Sequence, residues 1–374
     1  MDTKDHNQEV AGESFMTPDS GMSPSLLDPN LGLLTDDTLA TTLGENELAD
    51  LQAKKKKPTT PFQESMRRLR RDKRAMASVG VIVFFILLAI FGPFIYQRIG
   101  GIYISPISGP IGPGVYHTYY HQELDRQDEL PSSQYWLGTD QLGRDQLARL
   151  MQGILISITV ALLVEVVDVT VGITVGVLAG FNGGATDQVL ARFTDIIFAF
   201  PGLLFIIMVA GIWGGWADTA LSGIPIIGAN GNARLLLVSL ALAFVAWPLM
   251  ARYVRGQTLQ LKEQQFIEAA HTVGTPKIRI MMRHIIPNLF SIVVVAATLN
   301  IVGTIIAEAG ISLLGLGVQS PGSSLGLMIS TAQNNIDSHP FETLLPAVVL
   351  AIFVMAFSFL GDGLRDAFDP RSKD

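Results

Sequence analysis

The chain has 374 residues, 49% hydrophobic and 16% charged, with a mean hydropathy of +0.39. That balance excludes an ordinary soluble domain and places the chain among helical membrane proteins. Cysteine is absent, which excludes disulfides and thiolate metal ligation, and the formal charge of -7 sums opposed local charges rather than describing a global acidity.

Residues 1–60 are acidic, rich in Ser, Thr, Gly and Pro, and poor in aromatics; residues 1–50 carry eleven acids against Lys4. Such a segment buries too little apolar surface to offset the entropy of ordering, so a disordered tail is expected. A basic juxtamembrane segment follows at 61–75, with ten Lys and Arg in 51–75 against Glu64 and Asp72. Anionic lipid and the positive-inside bias hold such a collar in the cytoplasm. The first apolar run starts near Ala75, so no cleavable leader is expected.

Six spans are predicted at 76–96, 153–180, 189–213, 235–253, 289–313 and 343–360, each near the roughly 20 residues a bilayer needs. Residues 97–152 form a long extracytoplasmic connection containing Gly and Pro. Within it, Thr139 or Asp140 can start a helix whose N-terminus favours acids, with Arg144 tied to a nearby acid. Contact of Asp140, Arg144 and Asp145 with an outside partner is the functional alternative. In the second span Gly172, Gly176 and Gly180 share a face, which suits close helix packing. Glu165 and Asp168 lie inside the same apolar run. Intramembrane acids face a cavity or a partner, so these two are candidate substrate-path groups; a buried pair with a polar group on another helix is the structural alternative.

In the third span, Arg192 and Asp195 are three apart and predict a salt bridge on one face, and Pro201 predicts a kink. Glu308 stands nineteen residues beyond Leu289, roughly 29 Å along a helix, near the outer mouth. It is a third candidate for the substrate path, gating the vestibule or anchoring the loop at 314–317. Trp136, Trp213, Trp216 and Trp247 fall near span ends, as interfacial anchors do. The insert 254–287 carries Arg255, Lys262, Lys277, Arg279 and Arg283, the C-terminal segment 363–374 carries Arg365, Arg371 and Lys373, and the loop 314–342 carries no Lys or Arg. This puts the insert and both ends in the cytoplasm, with Arg126, Arg144 and Arg149 as exceptions near a long outer connection.

The insert predicts two short helices. Glu268 to His271 has helix-forming composition and Gly274 breaks it. Thr275-Pro276 starts a second helix with Pro at its first position, and Pro287 ends that helix where the membrane run begins. Glu268 with the small Ala269 and Ala270 suits close docking of a soluble partner; a helix that only solvates a turn is the bland alternative. No GxxxxGK[ST] phosphate loop occurs in the chain, so ATP-driven transport needs a separate subunit. His271 and His284 have no further His or Cys cluster around them in sequence, and no metal site is expected.

The run EAAHTVG…RHIIPN at 268–288 resembles the EAA loop of permease subunits in binding-protein-dependent ABC importers, with Gly274 and Pro287 at the family spacing. His284-Ile285-Ile286-Pro287-Asn288 is close to the His-Ile-Leu-Pro-Asn form of the peptide and nickel branch. Leu137-Gly138-Thr139-Asp140 with Gly143-Arg144-Asp145 resembles an element of that branch's C-type subunit. So do Phe200-Pro201-Gly202, Arg255-Gly256-Gln257, Leu314-Gly315-Leu316-Gly317 and Gly361-Asp362-Gly363-Leu364-Arg365-Asp366. The resemblance covers about 62–372 and leaves the acidic tail aside.

It implies an all-α polytopic membrane protein of about six transmembrane helices, with the importer domain at 153–362 and a cytoplasmic EAA coupling loop at 254–287. The implied residence is a bacterial or archaeal cytoplasmic membrane. The implied function is a permease for oligopeptides or dipeptides that catalyses no bond chemistry and binds no cofactor, metal or nucleic acid itself. Implied partners are a B-type permease, two cytoplasmic ABC ATPases that hold ATP and Mg, an extracytoplasmic substrate-binding protein and the lipid bilayer. Glu268, Ala269, Ala270, Gly274, His284 and Pro287 would couple to the ATPase. Asp140, Arg144 and Asp145 would contact the binding protein or the second permease. Nickel, glutathione or another small solute is an alternative cargo. A secondary transporter or channel is the alternative of a different class; it predicts inverted repeats and helices interrupted at mid-membrane, and the sequence carries no clear sign of either. An intramembrane enzyme would need a paired-His motif or a nucleophile–base set, and neither is evident.

Overall fold

Apolar runs that cross a bilayer must satisfy every backbone group within the segment, and helices do so. The computed structural model describes residues 61–221, 223 and 232–368. The acidic tail expected at 1–60, and Arg371 and Lys373 of the C-terminal segment, lie outside them. Helix α1 (Pro61–Leu69) precedes α2 (Lys73–Tyr96), which Asp72 caps by accepting from the Arg74 N–H at 2.8 Å. Residues 97–145 then form an extramembrane cap. It holds an antiparallel hairpin of β1 (Tyr103–Ser105) and β2 (Gly109–Ile111), with Tyr103 opposite Ile111, and a helical turn α3 (Pro113–Tyr116).

Helix α4 (Gln146–Asn182) begins seven residues before the predicted 153, because Asp145 caps it. The third predicted span is corrected. Residues 189–213 do not form one kinked helix but parts of two, α5 (Gly184–Phe198) and α6 (Gly202–Ala220). Pro201 has no N–H to continue the first helix, and its ring crowds the carbonyl four residues back. It serves instead as the first turn's entry, with Phe205 N–H donating to its carbonyl at 3.1 Å.

Beyond these lie α7 (Asn232–Lys262), α8 (Gln265–Thr272), α9 (Lys277–Ile280), a π turn (Met281–Ile285), α10 (Ile286–Leu313), α11 (Leu325–Ala332) and α12 (Pro340–Phe368). Among the described residues six helical stretches are long and apolar enough to cross a membrane: Lys73–Tyr96, Gln146–Asn182, Gly202–Ala220, Ala233–Lys262, Lys277–Leu313 and Pro340–Phe368. Counting crossings, the cap and the α10–α12 connection share one end of the bundle. The α4–α5 corner and α8 share the other.

The most extensive pairing is α4 against α7. The glycine stripe sets it. A Cβ on Gly172 would meet the Met250 side chain at 2.5 Å, on Gly176 the Ala251 carbonyl at 2.6 Å, and on Gly180 the Thr258 Cβ at 2.8 Å. One core, with Val160, Val164, Ile206, Val209, Val238 and Leu242, joins α4, α6 and α7. Another, with Val177, Phe181, Val254, Ile267, Ile280 and Leu289, ties α8 and the π turn to α4 and α7. Trp247 departs from expectation: it is buried in α7 beside Ile197 and Ala251, not at an interface.

Candidate functional site

The helix α8 sits at the end of the bundle opposite the cap. Gln264 lies in extended backbone just before it, and Gly274 ends it with φ +80°. A residue with a Cβ is strained at that angle, so Gly is what lets the chain reverse there. Thr275 N–H donates to the Ala270 carbonyl at 3.0 Å, and Gly274 N–H to that of His271 at 2.9 Å, which closes the turn. The second helix starts at Lys277 with Pro276 just outside it, one residue later than predicted. Pro287 does not end that helix. The chain runs helically from Lys277 to Leu313, and the π turn just before Pro287 absorbs its missing N–H and bulky ring. The Asn288 side chain donates to the His284 carbonyl at 2.6 Å there.

Only the rear of α8 is anchored. Ile267 is fully buried, and the His271 ring stacks on Phe181 at 5.8 Å between centroids. Glu268 and Ala269 are exposed, Ala270 is half-buried, and Gly274 has open space around it. Four large apolar side chains in the same stretch of chain are exposed: Phe266, Val273 (85% exposed), Ile278 and Met282. His284 is half-buried and Pro287 exposed.

The acids of α4 face inward. Asp168 is fully buried and accepts from the Asn300 amide of α10 at 2.8 Å; Glu165, also buried, has both carboxylate oxygens without a partner. Asn300 in turn lines a cavity of about 240 Å³ between α6, α7 and α10, together with Gly303 and Thr304. Sequence reading passed over Asn300; the available signal was a lone amide in an otherwise apolar run, with only Thr298 and Thr304 as other polar groups within four residues. Glu308 is turned into the packing of α4 against α10. It accepts from Ser157 at 3.0 Å and Ser312 at 2.7 Å, and Ser312 lies where a Cβ on Gly317 would stand. Of its two expected roles, that geometry matches anchoring of the 314–317 loop.

The cap acids are corrected in two ways. Asp145, not Thr139 or Asp140, caps α4, accepting from Leu147 N–H at 2.9 Å and Ala148 N–H at 3.1 Å. Its other oxygen accepts from the Tyr96 hydroxyl at 2.9 Å and meets His117 Nδ1 at 2.7 Å. Asp140, Arg144 and Asp145 are all buried, so they present no surface for a direct contact with another protein. Asp140 binds Arg144 and Arg149 and its carboxyl sits below the usual range: burial pushes it up, and the two guanidiniums pull it further down. Asp195 pairs with Arg252 of α7 at 2.7 Å instead of Arg192, because α7 packs on that face. Asp187, lowered first by the hydrogen bonds of Arg255, clamps α5 to α7 at 2.5 and 2.7 Å.

Residues 172–374 match the family described as binding-protein-dependent transport system inner membrane component, and residues 60–106 match the N-terminal transmembrane domain of oligopeptide transport permease C. The chain belongs to this family of ABC importer permeases. The permease is 34% identical to the oligopeptide transport system permease protein OppC of Bacillus subtilis, over 86% of this chain and 93% of that one. It is 33% identical to the dipeptide transport system permease protein DppC of the same organism, over 84% and 88%. It is 36% identical to the glutathione transport system permease protein GsiD of Shigella sonnei, over 84% and 92%.

Proposed function

We propose that this permease forms half of a translocation path for oligopeptides or dipeptides in a cytoplasmic membrane, with both chain ends in the cytoplasm. It works with a second permease, two ATPases that bind ATP and Mg, and an extracytoplasmic binding protein, and performs no bond chemistry. The observation that carries the reading is the run of exposed apolar side chains Phe266, Val273, Ile278 and Met282 in the segment that carries Glu268, while Ile267 and Ile280 lock that segment into the bundle. A rigid knob of this kind suits a groove on an ATPase, and Ala269 and Ala270 allow close approach. Movement of the knob passes into the membrane through the continuous helix from Lys277 to Leu313. The peptide cargo rests on the relatives' names and on the loop's His284-Ile285-Ile286-Pro287-Asn288 form. Asp168, joined to a cavity through Asn300, and Glu165 three residues before it are proposed as a polar station on the path.

The test is uptake by the reconstituted importer in proteoliposomes, with dipeptides, longer peptides and glutathione as competing cargoes. Peptide uptake should require ATP on the α8 side. Glu268→Ala and Gly274→Val should cut it at least about tenfold, on the order of 1.4 kcal/mol, without loss of assembly. Glu165→Gln should change the ranking of acidic and basic peptides. ATP-independent uptake by this chain alone, or full activity of both loop variants, would overturn the reading.

A further inference from the structure

At the cap end of the bundle, Asp128, His339 and Glu342 each offer a ligand atom within 4.8 Å of the others. They come from two chain regions: Asp128 from the cap, His339 from just before α12 and Glu342 from its first turn. The sequence pointed to no metal, since no His or Cys cluster is evident in it, and more than two hundred positions separate Asp128 from the other two. Glu342 is 5% exposed. Its Oε2, Asp128 Oδ1 and His339 Nδ1 are all shielded from solvent with no hydrogen-bond partner. A buried carboxylate oxygen without a donor costs several kcal/mol unless a charge or proton meets it.

The neighbouring charges do not supply that partner. Asp140 and Arg149 lie beside Glu342, and Asp140 already takes both Arg144 and Arg149. With Asp128, Asp140 and Glu342 set against Arg144 and Arg149, ionising all three acids leaves one negative charge for a cation to balance. Two carboxylates and one imidazole are the donor set of a borderline divalent metal. Calcium and magnesium favour more ligands and all oxygen. Zinc bonds of about 2.0–2.2 Å set tetrahedral ligand separations of roughly 3.4 Å, so closing the 4.8 Å spread by up to about 1.4 Å makes the site.

We propose that Asp128, His339 and Glu342 bind one zinc-class divalent cation, with water in the fourth position, and that the ion staples the extramembrane cap to the head of α12. The inference does not rest on the cargo or on the coupling role of α8. The test uses the purified full-length chain in nanodiscs, stripped with a chelator and titrated with Zn²⁺ against a chromophoric competitor. One Zn²⁺ should bind per chain, and saturation should raise the melting temperature, since a ligand that binds only the folded state stabilises it. Asp128→Asn, His339→Gln and Glu342→Gln should each weaken binding at least about tenfold and abolish the shift. A His271→Gln/His284→Gln variant, altered at the opposite end, should keep both. Co²⁺ titration of the unmutated chain, read by its d–d absorption, needs no variant. No Co²⁺ or Zn²⁺ binding by the unmutated chain overturns the site. So does binding that survives all three substitutions, or melting that responds to pH but not to metal, which would mark a proton shared between the acids.

Discussion

Asp140 gathers two backbone N–H groups and two guanidiniums of the cap on one buried carboxylate. One oxygen accepts from the Leu142 and Arg144 N–H groups at 3.0 Å each, and the other from the Arg144 and Arg149 guanidiniums. Removing its charge leaves two buried guanidiniums uncompensated, a loss of about 3–5 kcal/mol for breaking a buried pair. Asp140→Asn should therefore lower the melting temperature sharply at pH 7. The sign of the pH dependence follows from the lowered carboxyl. Its contribution is fully present above the unfolded value of about 3.9 and is lost as pH falls through the lower folded value. The gap between variant and unmutated chain, measured by thermal melts, should hold from pH 7 to 5 and narrow only in stronger acid; a gap that closes near pH 6 contradicts the assignment. The sequence showed that Asp140, Arg144 and Asp145 belong together. It did not show which acid caps α4, because Thr139, Asp140 and Asp145 all suit an N-terminus. Tyr96 and His117, distant in sequence, settle it on Asp145.

Among the helices, the α4–α7 contact was the most legible feature, and for a simple reason: glycines four apart leave a groove whatever the partner is. The partner itself was not legible. Valine at 176 would drive its Cβ to 2.6 Å from a backbone carbonyl and 2.7 Å from Val254. Neither helix can yield locally, so Gly176→Val should cost at least about 3 kcal/mol, the upper end for overpacking. Gly211→Ala, with nothing within 4 Å, should be neutral. Yield and melting temperature of the two variants in detergent separate the cases, and equal behaviour would refute the packing role. The two prolines show where periodicity fails. Both Pro201 and Pro287 interrupt apolar runs. At Pro201 the chain breaks into two helices; at Pro287 a π turn widens the backbone and the helix survives. Local sequence names the defect, and the packing around it chooses the remedy. At 280–289 that packing is the burial of Ile280, Ile285 and Leu289, which holds both sides of the turn in one core.

Over the whole molecule, orientation rests on charge, and the pairing sharpens it. Residues 97–145 hold Arg98, Arg126 and Arg144. Arg126 is tied to Glu129 at 2.5 Å, and Arg144 is buried on Asp140. The apparent exceptions to the positive-inside pattern are thus largely neutralised, whereas Lys262, Lys277, Arg279 and Arg283 around α8 are exposed. The cap should face outward and α8 inward. The chain has no cysteine, so single cysteines report cleanly with a membrane-impermeant maleimide. Ile107→Cys, 68% exposed on the cap, should label in intact cells; Val273→Cys, 85% exposed beside Glu268, should label only in inverted vesicles. In those vesicles the partner ATPases should then protect Val273→Cys, because a docked groove covers the exposed apolar side chains, while Ile107→Cys stays unaffected from its own side. Labelling of Val273→Cys in intact cells would reverse the orientation. Labelling undiminished by the ATPases would remove α8 as the docking knob and leave the four exposed apolar side chains of residues 266–282 to lipid or to the second permease.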